Sequence, residues 1–268
     1  MDLDFLEALA RKAGAAILEI YETSFSVAEK EDRSPLTEAD TRSHEIVSGA
    51  LKSRYPDIPV LSEEGKEVPF EARSRWSRFW LVDPLDGTKE FIKRNGEFTV
   101  NIALVEGGKP VLGLIYIPVS DLLYVGRTGE GCRELSGGRS RSVRARLPDE
   151  GEPVKVVRSR SHPSPQVERM LDRFPSRQAL SRGSALKFCA LASGEAHFYP
   201  RLGPTWEWDT GAGHAIVLAA GGVVVDVHGS PLEYNKPNLV NGPFLAAPDL
   251  SWLRDTGVLE AASSLTEA

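Results

Sequence analysis

Apolar residues repeat along the first part of the chain with the spacing of helices. Within residues 3–21, the residues three or four positions apart that form one apolar face are Leu6, Leu9, Ala13, Ile17 and Ile20. A second helix is predicted between Thr37 and Pro56, because proline ends a helix. Its inward-facing residues are Ile46, Val47, Ala50 and Leu51.

The spacing then changes to that of strands. Apolar runs predict strands at residues 59–61, 78–82, 98–105, 111–116 and 122–126. Two glycines at positions 107 and 108 predict a hairpin between the third and fourth of these strands. This half of the chain is therefore predicted to pack two helices against a largely antiparallel sheet.

The second half of the chain alternates between strand and helix patterns. Strands are predicted at residues 154–157, 178–180, 196–199 and 223–226, and helices from about Pro163, Ser184 and Asp209. This alternation is typical of an α/β layer. Residues 131–153 lose the apolar spacing and are interpreted as a connection rich in Gly, Ser, Arg and Pro. We therefore predict an α+β fold with an N-terminal lobe (1–135), a connection (136–153) and a smaller α/β C-terminal lobe (154–268).

Composition and charge exclude several classes of protein. The 268 residues include 41% hydrophobic and 26% charged residues, which is ordinary for a globular protein. The net charge of -6 argues against a broad surface for nucleic acid or anionic lipid, but it allows a basic pocket for one small anion.

Neither a membrane span nor a secretory signal is predicted. The longest apolar stretch, residues 215–225, contains two glycines and is shorter than the roughly 20 residues that a transmembrane helix needs. The N-terminus is acidic rather than basic. Cys132 and Cys189 lack the spacing of a zinc or redox site, so a reducing cytoplasm is expected, with peripheral attachment at the inner membrane face as an open alternative.

An acidic turn is the first candidate for chemistry. After the apolar run at residues 80–82, the segment 83–88 presents Asp83 and Asp86 three residues apart, with a proline and a glycine shaping the backbone. Two carboxylates held this close repel each other unless a cation is present, and Mg²⁺ prefers oxygen ligands. Taken alone, however, the pattern is more typical of an ordinary turn.

Three further acidic segments add weight to the turn. Glu63 and Glu64 follow a predicted strand, and Asp209 precedes a predicted helix. Each has a plain structural alternative, since paired glutamates are usually solvated and Asp209 can be a helix cap. Thr37 and Asp40 likewise have the spacing of a capping box.

Together these segments resemble the lithium-sensitive, Mg²⁺-dependent phosphatase superfamily of inositol monophosphatase over nearly the whole chain. The matching features, in the family's order, are an acidic Glu63, the turn D-P-L-D-G-T at 83–88 and W-D-T at 208–210. The resemblance implies a layered αβαβα sandwich, the sugar-phosphatase fold. It also implies hydrolysis of a phosphate ester by metal-activated water, and inhibition by lithium.

The resemblance assigns roles to the acidic residues. One Mg²⁺ would be held by Glu63, Asp83 and the carbonyl of Leu85, and a second by Asp83, Asp86 and Asp209. Thr88 would orient the attacking water, supported by Asp40 and Glu63. Glu64 would be placed to affect a weaker third metal.

Backbone N–H groups of Gly87 and Thr88, at a predicted helix start, are candidates for phosphate binding. The resemblance also places Glu63, Leu85, Asp86 and Asp209 among the substrate contacts.

The residues after the turn narrow the resemblance to one branch of the family. Thr88 is followed by K-E-F-I-K-R-N-G-E-F-T at 89–99, where inositol monophosphatases usually continue with N-F, and this resembles the bacterial 3'(2'),5'-bisphosphate nucleotidases. The segments 158–162 and 183–189 resemble those with which nucleotidases hold the nucleotide. The substrate-binding residues implied are His162, Gly183, Ser184 and Lys187.

The implied substrate is a small phosphonucleotide, adenosine 3',5'-bisphosphate, cleaved to AMP and phosphate in support of sulfur assimilation.

Taken singly, Lys187 could be a solvated helix residue and His162 a helix cap, and Arg201 and Trp206 are equally consistent with substrate contact or loop packing. The nearest alternative is an inositol monophosphatase or sugar-bisphosphate phosphatase on the same scaffold. A nucleotide-binding sensor without turnover is the non-enzymatic alternative. The assembly is expected to be a monomer or a homodimer.

Overall fold

The computed structural model describes residues 1–29, 35–160 and 164–266. Its helices are α1 (Leu3–Tyr21), α2 (Glu38–Arg54), α3 (Phe70–Arg73), α4 (Thr88–Ile92), α5 (Pro165–Leu171), α6 (Leu186–Ala192), α7 (Glu207–Ala219), α8 (Leu250–Asp255) and α9 (Val258–Thr266). Its strands are β1 (Val27–Glu29), β2 (Pro35–Thr37), β3 (Val60–Ser62), β4 (Arg78–Asp86), β5 (Thr99–Glu106), β6 (Lys109–Ile117), β7 (Leu122–Arg127), β8 (Gly131–Ser136), β9 (Arg139–Val143), β10 (Val154–Ser159), β11 (Arg177–Arg182), β12 (Tyr199–Arg201), β13 (Thr205–Trp206), β14 (Val223–Asp226), β15 (Val240–Asn241) and β16 (Phe244–Ala247).

The larger sheet has seven strands in the order β3 to β9. β3 runs parallel to β4, and every later neighbour in this sheet is antiparallel, which confirms the predicted sheet type. Glu106 pairs with Lys109 across the predicted hairpin.

The predicted connection was wrong at its beginning. Residues 131–136 and 139–143 form the hairpin of β8 and β9, which extends the sheet. In β9 only Val143 is buried, so this edge strand has no apolar face for the sequence pattern to reveal. The irregular connection therefore begins after Val143 rather than at residue 131 or 136.

The C-terminal half has the predicted alternation of strands and helices, and its sheet is mixed. β10 and β11 are parallel, whereas β16 pairs antiparallel with both β12 and β14. A parallel bridge between Val156 and Phe198 connects the two groups.

The elements form five layers, as the resemblance implied. Helices α1 and α2 bury one face of the larger sheet in a core that includes Leu6, Ile17, Leu51, Trp80 and Ile102. Helices α6 and α7 fill the space between the two sheets. Helices α5, α8 and α9 cover the outer face of the smaller sheet. The chain thus has the αβαβα arrangement.

Helix α7 lies unusually close to the larger sheet. A Cβ atom added at Gly113 on β6 would lie 2.2 Å from the backbone oxygen of Ala212 on α7, so only glycine fits there. This contact sets the distance between α7 and the strands, and α7 carries Asp209 in its first turn.

Three further sequence predictions concern the cysteines, the histidines and membrane-spanning helices. Cys132 and Cys189 are buried free thiols, as expected from their spacing. His214 is buried on α7 and its ring lies beside the hydroxyl of Tyr234, in agreement with a structural role. None of the helices in the described ranges combines the length and apolar character needed to cross a membrane.

Candidate metal and phosphate site

The acidic turn leaves the sheet at the end of β4. The pairing between β4 and β5 shifts between Asp83, which is opposite Asn101, and Asp86, which is opposite Thr99. The Asp83 side chain accepts a 3.1 Å hydrogen bond from the backbone N–H of Leu85, and Ser43 on α2 donates at 2.7 Å to the carbonyl of Pro84. Gly87 has φ +92°, a conformation that favours glycine, and helix α4 begins directly after it.

Three carboxylates from separate elements meet beside this turn. Glu63, Asp83 and Asp209 each offer an oxygen within 4.8 Å of the others. Glu63 comes directly after β3, and its N–H donates at 3.1 Å to the carbonyl of Val82 on the neighbouring strand. Asp209 is held in the first turn of α7, where its side chain accepts a 2.8 Å hydrogen bond from the N–H of Trp206.

The electrostatics of this cluster favour a cation. Burial raises the pKa of Asp83 well above its usual value, and the charges of Glu63, Asp86 and Asp209 raise it further. Burial and the Asp86 charge likewise raise the pKa of Asp209. An all-oxygen donor set of mutually repelling carboxylates suits a divalent ion such as Mg²⁺, so the residues present fit the metal that the sequence implies.

Asp86 lies beside the cluster and has a different set of contacts. Its Oδ2 atom accepts hydrogen bonds from the hydroxyl of Ser184 at 2.7 Å and from the amide of Asn101 at 3.3 Å. Burial raises the pKa of Asp86, although the positive charge of Lys187 opposes that shift. This carboxylate therefore connects the acidic turn to the opposite wall of the site.

Thr88 and Asp40 form a hydrogen-bonded pair on the other side of the turn. The Thr88 hydroxyl donates at 3.0 Å to Oδ1 of Asp40. The second oxygen of Asp40 accepts from the N–H of Thr37 at 2.8 Å and from its hydroxyl at 2.6 Å, which confirms the predicted capping box. Burial raises the pKa of Asp40.

Most of the predicted site residues line one cavity of about 330 Å³. These residues are Glu63, Asp83, Leu85, Asp86, Gly87, Thr88, Gly183, Ser184, Lys187 and Asp209. Asp40 is buried and contacts Thr88, which lines the cavity. Arg201 and Trp206, for which the sequence left two interpretations, also line the cavity. His162 lies outside the described residues.

Lys187 is a buried cation rather than a solvated helix residue. The residue is 7% exposed, so that alternative from the sequence was wrong. The ammonium group donates at 2.5 Å to the carbonyl of Ser184 and lies 5.7 Å from the ring centre of Tyr199. Burial lowers the pKa of Lys187, while the Asp86 charge opposes that shift.

Two supporting groups were not identified from the sequence. Glu97 accepts from the guanidinium of Arg160 at 2.7 and 2.8 Å and from the N–H of Gly183 at 2.7 Å. Thr99 and Asn101, both buried on β5, lie against Ser184 and Asp86 respectively. The sequence does contain a feature that could have identified Thr99 and Asn101: they are two polar residues at alternate positions, on one face of an otherwise apolar strand.

Comparison with known proteins places this site in a family. The model of the inositol monophosphatase family matches residues 2–266. The chain therefore belongs to the inositol monophosphatase family.

Among its relatives is the 3'(2'),5'-bisphosphate nucleotidase CysQ of Escherichia coli strain K12, 48% identical over 234 residues that cover 87% of this chain and 93% of that protein. The protein of the same name from Salmonella typhimurium strain LT2 is 50% identical over 228 residues, 84% of this chain and 91% of its own.

A solved structure has the same arrangement. The crystal structure of CysQ from Bacteroides thetaiotaomicron superposes with a TM-score of 0.82 at 42% identity, covering 93% of this chain and 98% of that chain. The similarity therefore extends over both sheets and the helices between them.

Proposed function

We propose that this protein is a Mg²⁺-dependent 3'(2'),5'-bisphosphate nucleotidase that hydrolyses adenosine 3',5'-bisphosphate to AMP and phosphate. The observation that carries the proposal is the cluster of Glu63, Asp83 and Asp209, whose carboxylate oxygens lie within 4.8 Å of one another in the wall of a cavity. The names of relatives 48% and 50% identical to this chain support the substrate class. Among enzyme classes, the proposal is a phosphoric monoester hydrolase.

The metal ligands are proposed in two sets. Glu63, Asp83 and the Leu85 carbonyl would hold one Mg²⁺, and Asp83, Asp86 and Asp209 a second, with Glu64 near a weaker third. The structure supports this division because Asp83 is buried between carboxylates of both sets, whose charges raise its pKa. When bound, the ions would supply positive charge to a phosphoryl group during displacement, the chemistry that paired metals provide in phosphatases.

The protein's own contribution to water attack is proposed to come from Thr88 and Asp40. Since the Thr88 hydroxyl donates its only hydrogen to Asp40, its lone pairs remain available to accept a hydrogen bond from a water in the cavity. Asp40 is itself fixed by two donors from Thr37, so the hydroxyl is oriented before the substrate arrives. This pair would hold the water and accept its proton in the reaction.

The phosphate that is not cleaved is proposed to bind Lys187. An ammonium group has three N–H donors, and the single bond to the Ser184 carbonyl leaves capacity for a phosphate oxygen. Gly183, Ser184 and His162 complete the proposed nucleotide contacts, with Gly87 and Thr88 on the phosphoryl group that leaves. A second cavity of about 670 Å³ shares Ser159, Tyr199 and Arg201 with the first, which gives space for the nucleoside.

Phosphate release from a panel of esters tests the proposal. Adenosine 3',5'-bisphosphate, inositol 1-phosphate and fructose 1,6-bisphosphate are compared at equal concentration, with Mg²⁺ and with a chelator. We expect the highest kcat/KM for the nucleotide and no turnover without metal. Preference for inositol 1-phosphate or fructose 1,6-bisphosphate would reject the substrate assignment in favour of the other branches of the family.

A binding protein without turnover is disfavoured by the site itself. Such a sensor would be expected to have lost one of five residues that are all present and line the cavity: Glu63, Asp83, Asp86, Thr88 and Asp209. Tight binding of AMP with no Mg²⁺-dependent phosphate release would support the sensor instead.

The state of the two cysteines bears on the compartment. Both cysteines are buried free thiols, which suits a reducing cytoplasm, and we propose that the enzyme acts there as a monomer or homodimer.

A further inference from the structure

Ser184 has a backbone conformation that serine rarely adopts. Its φ angle is +48°, in the left-handed region that favours glycine, and its neighbour Gly183 does not share that conformation. A non-glycine residue in this region is energetically unfavourable and persists where its surroundings hold it. The contacts of Ser184 therefore have to hold this conformation in place.

The hydroxyl of Ser184 is the centre of a buried chain of polar groups. It donates at 2.7 Å to Oδ2 of Asp86, and its oxygen lies 2.7 Å from the hydroxyl oxygen of Thr99. The Thr99 hydroxyl, which has one hydrogen to donate, lies within hydrogen-bond distance of both Ser184 and, at 2.8 Å, the side-chain oxygen of Asn101, whose amide donates at 3.3 Å to Asp86. Thr99 and Asn101 are 0% and 1% exposed, so water cannot replace these contacts.

The main chain of Ser184 has a second, separate contact. Its carbonyl accepts the 2.5 Å hydrogen bond from the ammonium group of Lys187. A Cβ atom added at Gly87 would lie 3.2 Å from the Cβ of Ser184, so this residue is packed directly against the acidic turn. One residue thus holds Asp86 through its side chain and Lys187 through its backbone.

We propose that Ser184 is a positioning residue that couples metal binding at Asp86 to phosphate binding at Lys187, with Thr99 holding its hydroxyl and Asn101 holding the Asp86 carboxylate in place. This rests on the proposed function, because it takes Asp86 as a metal ligand and Lys187 as a phosphate contact. A shift of Lys187 toward a phosphate would act on the backbone of Ser184, and its hydroxyl would transmit the displacement to Asp86. By linkage, a ligand that raises the affinity for Mg²⁺ has its own affinity raised by the same factor.

Thr99 offers the sharper test, because it contacts Ser184 and Asn101 and is not among the residues that line the cavity. Thr99→Val keeps the shape of the side chain and removes the hydroxyl, whereas Thr99→Ser keeps the hydroxyl. If Ser184 only contacted substrate, neither change would alter the binding of Mg²⁺. If Thr99 acts through Ser184, Thr99→Val weakens Mg²⁺ binding and Thr99→Ser does not.

The measurement is calorimetric titration of Mg²⁺ into the purified full chain, with and without saturating AMP, so that no turnover is involved. For the wild-type protein we expect AMP to raise Mg²⁺ affinity by about fivefold or more. Thr99→Val should weaken Mg²⁺ binding without AMP by about fivefold and reduce the AMP effect to less than twofold. Thr99→Ser should stay within about twofold of wild type in both titrations.

Wild-type Mg²⁺ affinity together with an undiminished AMP effect in Thr99→Val would overturn the proposal. If circular dichroism shows that Thr99→Val does not fold, Ser184→Ala is titrated in the same way. Wild-type Mg²⁺ affinity with an undiminished AMP effect in Ser184→Ala would then overturn the proposal. An AMP effect absent from the wild-type protein overturns the coupling. Phosphate release from the ester panel decides the proposed function separately, because Mg²⁺ titration without nucleotide does not depend on which ester is hydrolysed.

Discussion

The hydroxyl of Thr88 donates a 3.0 Å hydrogen bond to Asp40, across the contact between the acidic turn and the first turn of α2. This bond fixes the direction of the Thr88 hydroxyl within the cavity wall. It also makes the orientation of that hydroxyl depend on the capping box at Thr37, where the remaining oxygen of Asp40 is bound.

Removing the Thr88 hydroxyl should slow the chemical step. We expect Thr88→Val to lower kcat by about 100-fold or more, with a smaller change in KM. A loss of this size is typical when a group that transfers a proton in the reaction is removed. Thr88→Ser, which keeps the hydroxyl, should retain most of the activity. Initial rates on adenosine 3',5'-bisphosphate at saturating Mg²⁺ measure the difference. Equal losses in both variants would mean that the methyl group, not the hydroxyl, matters.

Neutralising Asp83 should separate activity from stability. We expect Asp83→Asn to lower turnover by about 100-fold or more, because Asp83 is the ligand proposed to be shared by both metals. In the presence of a chelator the variant should unfold at the same or a higher temperature than wild type, since a buried charge repelled by Glu63, Asp86 and Asp209 is removed. Thermal unfolding and phosphate release measure the two effects. A near-normal rate would contradict the assignment of Asp83 to both metals.

The contact between Glu97 and Gly183 should affect substrate binding more than turnover. Burial raises the pKa of Glu97, but the hydrogen bonds from Arg160 and Gly183 outweigh burial and hold that pKa below its usual value. We expect Glu97→Gln to raise KM by about fivefold with kcat within about twofold of wild type.

Glu130→Gln is the control for that variant, because it breaks an exposed ion pair with Arg127 and neither residue lines either cavity. It should leave both kinetic constants unchanged. A fall in kcat for Glu97→Gln with KM unchanged would place Glu97 in the chemical step instead.

His214 should make the fold sensitive to acid. Burial lowers the pKa of His214 to about 3, so the folded protein keeps this ring neutral while the unfolded chain protonates it near 6.5. Its contribution to stability is therefore complete above pH 6.5 and is lost as pH falls toward 3, by up to about 1.4 kcal/mol per pH unit.

Urea unfolding of the wild type and of His214→Gln at pH 7 and pH 5 measures this effect. The stability lost between these two pH values should be smaller in the variant. An identical loss in both proteins would show that other groups account for the acid sensitivity.

Sequence predictions were confirmed where the structure depends only on residues that are close together in the chain. The apolar face of α1, the capping box at Thr37 and the hairpin at Gly107 each depend on residues close together in the chain, and all three are present. The β8–β9 hairpin was missed because an exposed edge strand has no apolar period.

Long-range contacts explain what was missed in the site. Glu97 is distant in sequence from Gly183, and nothing near Glu97 in the chain indicates that pairing. Thr99 and Asn101 were read as part of an apolar strand, and their role depends on Ser184 from the other half of the chain. The division of ligands between two metals remains a prediction from the family resemblance.

The close approach of α7 to the larger sheet at Gly113 determines where Asp209 lies. Asp209 lies in the first turn of α7. One helical turn further on, Ala212 packs against Gly113 on β6, and the absence of a side chain at Gly113 sets the distance between α7 and the strands. Two residues that do not line the cavity, Gly113 and Ala212, thereby set how far the Asp209 carboxylate stands from the strands, and a methyl group added at Gly113 would push α7 away from β6.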